Sequence, residues 1–168
     1  MGAQHSFEVA VTWPTSTVAA GDGAGATTSY TAYTRDHDVT APGRPVLPGS
    51  ADPAFRGDPG RYSPEELFVA SLSQCHMLWF LHLAAEAGVV VRGYTDEATG
   101  TMRVEARGEG QFTDVTLRPH VLVDPGAGAT DERLAELHHR AHSLCFLARS
   151  VNFPVLVDPA PLRTSTVV

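Results

Sequence analysis

Residues 63–88 read SPEELFVASLSQCHMLWFLHLAAEAG, and this stretch decides the fold. Ser63 is placed as an N-cap, Pro64 takes the first helical position where its missing N–H is no loss, and Glu66 completes a capping box three residues after the serine. Gly88 supplies the residue that closes the helix at its far end. Between those limits apolar residues fall on nearly every side, which predicts a helix buried between other elements or at a subunit interface. The core of the run, Leu67 to Ala85, approaches the length of a membrane span. It nevertheless carries Ser71, Ser73, Gln74, His76 and His82, so the expectation is a buried helix of a globular protein.

Outward from this helix the chain reads as strands. Phe7, Val9 and Val11 alternate with Glu8, Ala10 and Thr12 and predict an opening strand, followed by a Gly/Ala-rich turn or loop over residues 21–28. A second strand is expected over Ser29 to His37. From Thr40 to Tyr62 Pro and Gly are so frequent that an irregular excursion is expected, with a short strand at Pro45 to Leu47. Beyond the long helix, Val89 to Tyr94, Gly100 to Gly110 and Gln111 to Val123 alternate as half-buried strands. Thr130 or Asp131 caps a second helix carrying Leu134, Leu137, Ala141, Leu144 and Cys145 at helical spacing, and Val155 to Val157 forms a closing strand. Strands, long helix, strands, helix, strand is the order of an α+β fold.

Composition narrows the function. The 168 residues are expected to form a single domain, 1–168, large enough to bury a core without disulfide staples. Twelve Lys and Arg against nineteen Asp and Glu leave a net charge of −7, which argues against nucleic-acid backbones and anionic membranes and favours small neutral or apolar substrates. The N-terminal MGAQHSFEVAVTW has no basic segment followed by an apolar core, so a cytoplasmic location is expected. There, thiols stay reduced, and a persistent cysteine pair is catalytic more often than structural.

The chain has two cysteines, Cys75 and Cys145, seventy positions apart. Each alone reads as a small buried hydrophobe; together they form a redox pair only if the fold packs the two helices against each other. A mid-helix Cys75 has neither a helix N-terminus nor water to favour its thiolate, so a cation must come from elsewhere. The candidates are Arg35, Arg44, Arg56 and Arg61, with a carboxylate to orient the guanidinium. Glu66 has its duty in the capping box, whereas Glu65 is free of one. Ten residues separate Glu65 from Cys75, roughly 15 Å along a helix axis, so Glu65 can serve that cysteine only through an arginine or across a subunit interface. Cys145, near a helix C-terminus where orphan carbonyls disfavour an anion, suits a resolving role. His138, His142 and Cys145 follow i, i+4, i+7 spacing, with His139 beside them. A metal there would need further ligands, such as Cys75, and a solvated histidine face is the simpler expectation. His76 points about 100° away from Cys75 and reads as a core or pocket-wall residue.

At SPEELFVASLSQC, followed by AHSLCFLARSVNFPV, the sequence resembles the OsmC/Ohr family of thiol-dependent peroxidases. The shared features are the Pro-Glu-Glu-Leu helix start with a cysteine ten residues after its first glutamate, and a second cysteine on a later helix that leads into a closing strand. The resemblance implies an intertwined homodimer with active sites at the subunit interface. It also implies peroxidatic Cys75, resolving Cys145, Glu65, and an arginine that stabilises the thiolate. The OsmC-like branch places that arginine just before the helix, pointing to Arg56; the Ohr-like branch takes it from earlier in the chain, pointing to Arg35. The long segment from Thr40 to Tyr62 and the Cys75–His76 pair depart from the better-known members.

The expected function is therefore reduction of organic hydroperoxides to alcohols through a Cys75 sulfenate and a Cys75–Cys145 disulfide, recycled by an external dithiol, for which the resemblance makes a lipoyl-type compound suitable. Catalytic residues are Cys75, Cys145, Arg56 and Glu65, and no cofactor, metal, nucleic acid or membrane is called for. Met77, Leu78, Trp79, Phe80 and Phe146 can supply an apolar wall suited to bulky hydroperoxides. The alternatives are a non-enzymatic protein that binds an apolar ligand at the dimer interface, and a metal-binding His/Cys protein.

Overall fold

The capping box forms as read: the Ser63 N–H donates to Glu66 Oε2 at 2.8 Å and the Glu66 N–H to Ser63 Oγ at 3.2 Å. It opens helix α1, Pro64–Glu86, which ends before Gly88 in the left-handed region, φ +71°. The computed structural model describes residues 2, 4–15, 26–125 and 128–165, so most of the glycine run over residues 21–28 lies outside the described residues. The chain divides into two compact units at Leu67/Phe68.

In the first unit, β1 (Ala10–Thr12), β2 (His37–Thr40) and β3 (Leu47–Gly49) form an antiparallel sheet in that order, with Val11 opposite Val39 and Val39 opposite Leu47. The strand expected over Ser29 to His37 is instead a series of turns, and β2 begins where it was to end. The cause is Arg35. Its guanidinium donates to the carbonyls of Tyr33 (2.6 Å) and Tyr30 (2.7 Å) and lies over both tyrosine rings, so the backbone curls around the side chain instead of extending. The excursion before α1 contains a 3-10 turn, Pro53–Phe55, capped by Asp52.

The second unit holds the body of α1 and two three-stranded sheets. One contains β4 (Val91–Asp96), β7 (Pro119–Val123) and β9 (Arg163–Thr164); the other contains β5 (Thr99–Val104), β6 (Gly110–Leu117) and β8 (Val155–Val157). The β4–β7 and β5–β6 pairs are antiparallel, while β8 and β9 join β6 and β7 in parallel. The stretch Gln111 to Val123, read as one strand, breaks at Arg118. That residue turns its N–H to Asp96 Oδ1 at 2.6 Å, and Pro119 has no N–H to continue a ladder, so the chain passes from one sheet to the other. Helix α2 (Asp131–Leu144) is capped by Thr130, whose Oγ1 accepts the Arg133 N–H at 3.2 Å, and Cys145 follows as its C-cap.

Although α1 is long and apolar enough to cross a membrane, it supplies residues to the core of this unit. Leu72 joins Val115, Leu117 and Val155 in one buried cluster, with Phe68, Phe112 and Phe153 around it. Phe80, Leu83 and Ala84 join Val121, Val123, Leu134, Leu137 and Ala141 in the other. The helix lies so close to β5 that a Cβ on Gly100 would come within 2.7 Å of Val69 Cγ2 and 2.8 Å of Phe112 Cε1.

Candidate active site

Along the buried stripe of α1, Leu72, His76 and Phe80 succeed one another at four-residue intervals, so His76 sits between the residues that feed the two clusters. Cys75 is next to it and half-buried, while Cys145 at the end of α2 is 1% exposed. The two cysteines, seventy positions apart in sequence, interact side chain to side chain. Burial is the main cause that pushes the Cys145 thiol up to about 11, and the neighbouring Cys75 sulfur adds to it by accepting its hydrogen and by repelling a second anion. Against these act the Leu147 N–H and the Ala148 N–H, the latter 3.5 Å from Cys145 Sγ. Cys145 thus keeps its proton and can donate it toward Cys75.

Behind the thiols lies a histidine pair that sequence spacing alone did not reveal. His76 and His138 are 0% and 3% exposed, and His76 Nε2 lies 3.0 Å from His138 Nδ1. The ring planes differ by 4° and their centres are 5.3 Å apart, which is the hydrogen-bond length plus the two ring radii, so the rings meet edge to edge in one plane. Phe80 stacks on His138 at 4.1 Å. Burial, followed by repulsion from His142, lowers His76 to about 4 although Asp96 opposes it; burial and then His76 lower His138 to about 3. Both rings are neutral at physiological pH. The expectation of a solvated histidine face on α2 therefore fails for His138, which faces the core, and holds for exposed His139. His142 is half-buried. The signal that could have found the pair was a histidine, His76, in the most apolar segment of the chain, since a buried polar ring calls for a partner.

Buried Nδ1 atoms of His76 and His142 and the buried hydroxyl of Tyr94 have no hydrogen-bond partner among the described residues. Among the described residues no group of three or more His, Cys, Asp or Glu is arranged to hold a metal. Asp96 is held by Ser73 Oγ at 2.5 Å and by the Arg118 N–H, tying α1 to the strands beneath it. Trp79, one turn after Cys75, and Phe146, next to Cys145 in sequence, meet edge to face at 5.5 Å, and Leu78 and Phe146 are 62% and 67% exposed.

The arginine and carboxylate candidates lie in the first unit. Arg35 and Glu65 line one cavity of about 260 Å³ together with His37, Asp52 and Phe55, and Glu65 Oε2 is buried with no hydrogen-bond partner among the described residues. Arg56 is exposed, in the left-handed conformation (φ +70°) that closes the 3-10 turn, and does not line that cavity. Arg61 is engaged by Asp36 and Asp58 at 3.6 and 3.5 Å, and Arg44 is exposed.

A family model for OsmC-like proteins matches residues 57–159, the segment that holds both cysteines. The chain belongs to the OsmC-like family. Among solved structures, an OsmC-like protein of unknown function from Vibrio cholerae is 31% identical, with a TM-score of 0.78 over 94% of this chain and 100% of that one. An organic hydroperoxide resistance protein from Elizabethkingia anophelis shares the fold at 16% identity and a TM-score of 0.67, over 98% of this chain and 100% of that one. Another, from Legionella pneumophila, does so at 17% and 0.63 with the same coverage. No curated protein matches the chain significantly. The α+β expectation and the OsmC/Ohr resemblance both hold for this OsmC-like chain.

Proposed function

We propose that this OsmC-like protein is a cytoplasmic, homodimeric thiol peroxidase that reduces organic hydroperoxides. The observation that carries the reading is the meeting of Cys75 and Cys145, with the proton retained on Cys145. In the first step the Cys75 thiolate attacks the distal oxygen of the hydroperoxide. The O–O bond breaks, the alkoxide takes up a proton and leaves as alcohol, and Cys75 becomes a sulfenic acid. In the second, Cys145 sulfur attacks Cys75 sulfur, the S–O bond breaks, and water leaves with the proton of Cys145. An external dithiol of lipoyl type then reduces the disulfide, returning both thiols.

The guanidinium that stabilises the thiolate and the developing charge on oxygen is assigned to Arg35 in preference to Arg56, because Arg35 lines the same cavity as Glu65. Homodimer formation is supported by the apolar side chains left open on α1 and after α2, Leu78 and Phe146, and by Phe7, Val9 and Val11 exposed along β1 and the residues before it. Leu78, Trp79 and Phe146 favour an apolar hydroperoxide over hydrogen peroxide. The test is titration of the reduced protein with cumene hydroperoxide, which should consume two thiols per chain and form one intramolecular disulfide. Retention of both thiols would refute the reading.

A further inference from the structure

His138 is 3% exposed, and its ring is fixed from two sides, by the hydrogen bond between its Nδ1 and His76 Nε2 at 3.0 Å and by Phe80 stacked at 4.1 Å. Its other nitrogen, Nε2, bonds to no described residue, yet it is not among the nitrogens closed off from solvent, as His76 Nδ1 is. A ring so buried can open only where it meets a cavity, and His138 meets two. It lines one of about 370 Å³ with Ala135, Val155, Val157 and Pro159, where His139 and His142 are the other polar side chains, and one of about 290 Å³ that also touches Leu134 and Asp131. Ala135 and Pro159 border both. Neither cavity is lined by Cys75 or Cys145, so this region stands apart from the thiol chemistry.

The bond between the rings sets what His138 Nε2 offers. Each neutral ring carries one hydrogen, and one of the two facing nitrogens must donate. Were His138 Nδ1 the donor, the hydrogen of His76 would sit on its Nδ1, an N–H sealed in the core with no acceptor among the described residues; with His76 Nε2 as donor, only a lone pair is sealed there. A buried N–H without an acceptor is the rarer of the two. The hydrogen of His138 is thereby placed on Nε2, at the cavity wall, as a fixed donor in otherwise largely apolar surroundings. Burial, then His76, lowers His138 to about 3, so the donor is uncharged, and the Asp131 carboxylate in the smaller cavity works against an anion. We infer that His138 marks a binding site for a small, neutral, apolar carbonyl compound, a ketone or ester, whose oxygen accepts the Nε2 hydrogen while its carbon skeleton lies against Ala135, Val155, Val157 and Pro159.

Acetophenone and ethylbenzene, which has a similar shape and no oxygen, test this in the full-length protein labelled with 15N-histidine. The long-range imidazole spectrum should show hydrogen on Nε2 of both His76 and His138. Acetophenone should shift the His138 signals saturably, with a Kd about tenfold lower than that of ethylbenzene, and benzoate should bind more weakly than acetophenone. In the double variant His76→Leu/His138→Leu, which leaves no unpaired ring nitrogen of the pair, the two neutral compounds should bind alike. Ala135→Phe, a change at an exposed position of α2 that puts a ring at the border of both cavities, should abolish the binding of either. Absence of saturable binding, equal affinities in the unsubstituted protein, a ketone preference that survives in the double variant, tighter binding of benzoate, binding untouched by Ala135→Phe, or hydrogen on His138 Nδ1 would each overturn the inference.

Discussion

Lowering the pH from 7 to 5 should destabilise the protein through the His76–His138 pair. Both rings have folded-state pKa values depressed by burial, to about 4 and about 3, against 6.5 for an ordinary histidine. A depressed value means that the unfolded chain binds more protons, so the stability is fully present above about pH 6.5 and is lost as the pH falls toward the folded values. At pH 5 the unfolded chain protonates each ring almost completely while the folded pair stays neutral. Integrated from pH 7, the loss is about 2 kcal/mol if the pair contributes one proton and about 4 kcal/mol if it contributes both. Urea unfolding followed by tryptophan fluorescence, at fixed protein concentration, measures it. The double variant His76→Leu/His138→Leu provides the control, since replacing both partners of a buried hydrogen bond by apolar groups leaves no unpaired atom. Its stability should vary less between pH 7 and 5 by that same 2–4 kcal/mol, the other histidines being common to both proteins. Equal acid sensitivity in the two proteins would refute the reasoning.

In peroxide assays, Cys75→Ser should abolish hydroperoxide consumption, and Cys145→Ser should support one reaction and then overoxidise, with sulfinic acid at Cys75 detectable by mass spectrometry. Arg35→Ala should lower kcat/KM for cumene hydroperoxide by about 10²-fold, with Arg56→Ala within about threefold of the unsubstituted protein; the reverse order would return the role to Arg56. Sedimentation at assay concentration should show a dimer, and a fully active folded monomer would remove the argument from the open apolar faces of α1 and β1. Ser63→Ala should lower stability by about 1 kcal/mol in urea unfolding, because it deprives the Glu66 N–H of its acceptor.

Local chemistry made the helices legible. Ser63, Pro64, Glu66 and Gly88 mark α1 by backbone hydrogen-bond requirements that neighbours in sequence satisfy, and Thr130 does the same for α2. The strands were legible as far as alternation decides them. Arg35 overrode alternation between Ser29 and His37 by drawing the carbonyls of Tyr30 and Tyr33 to its guanidinium, a preference no periodicity carries. Arg118 divided one expected strand into two through Asp96, a partner 22 positions away. At the site, the two cysteines could be named from their settings, but the contact between them, like the bond joining His76 to His138, depends on the packing of α1 against α2. That packing follows from complementary apolar faces summed over many residues. β9, with two residues, is too short to leave a pattern at all.

The parallel pairing of β8 with β6 and of β9 with β7 also sets an order of events during synthesis. Both closing strands come after α2, so each sheet lacks a member until the segment beyond Cys145 has left the ribosome. Contacts that span so much of the chain form late. The nascent protein therefore carries Cys75 for some time before its counterpart has a settled position. Under the proposed mechanism, a peroxide met in that interval would oxidise a thiol with nothing beside it to rescue it, and the vulnerability would vanish once the final strands docked. Slow translation through residues 145–164 should lengthen that exposure, making oxidative loss of the protein a matter of when in its life the oxidant arrives.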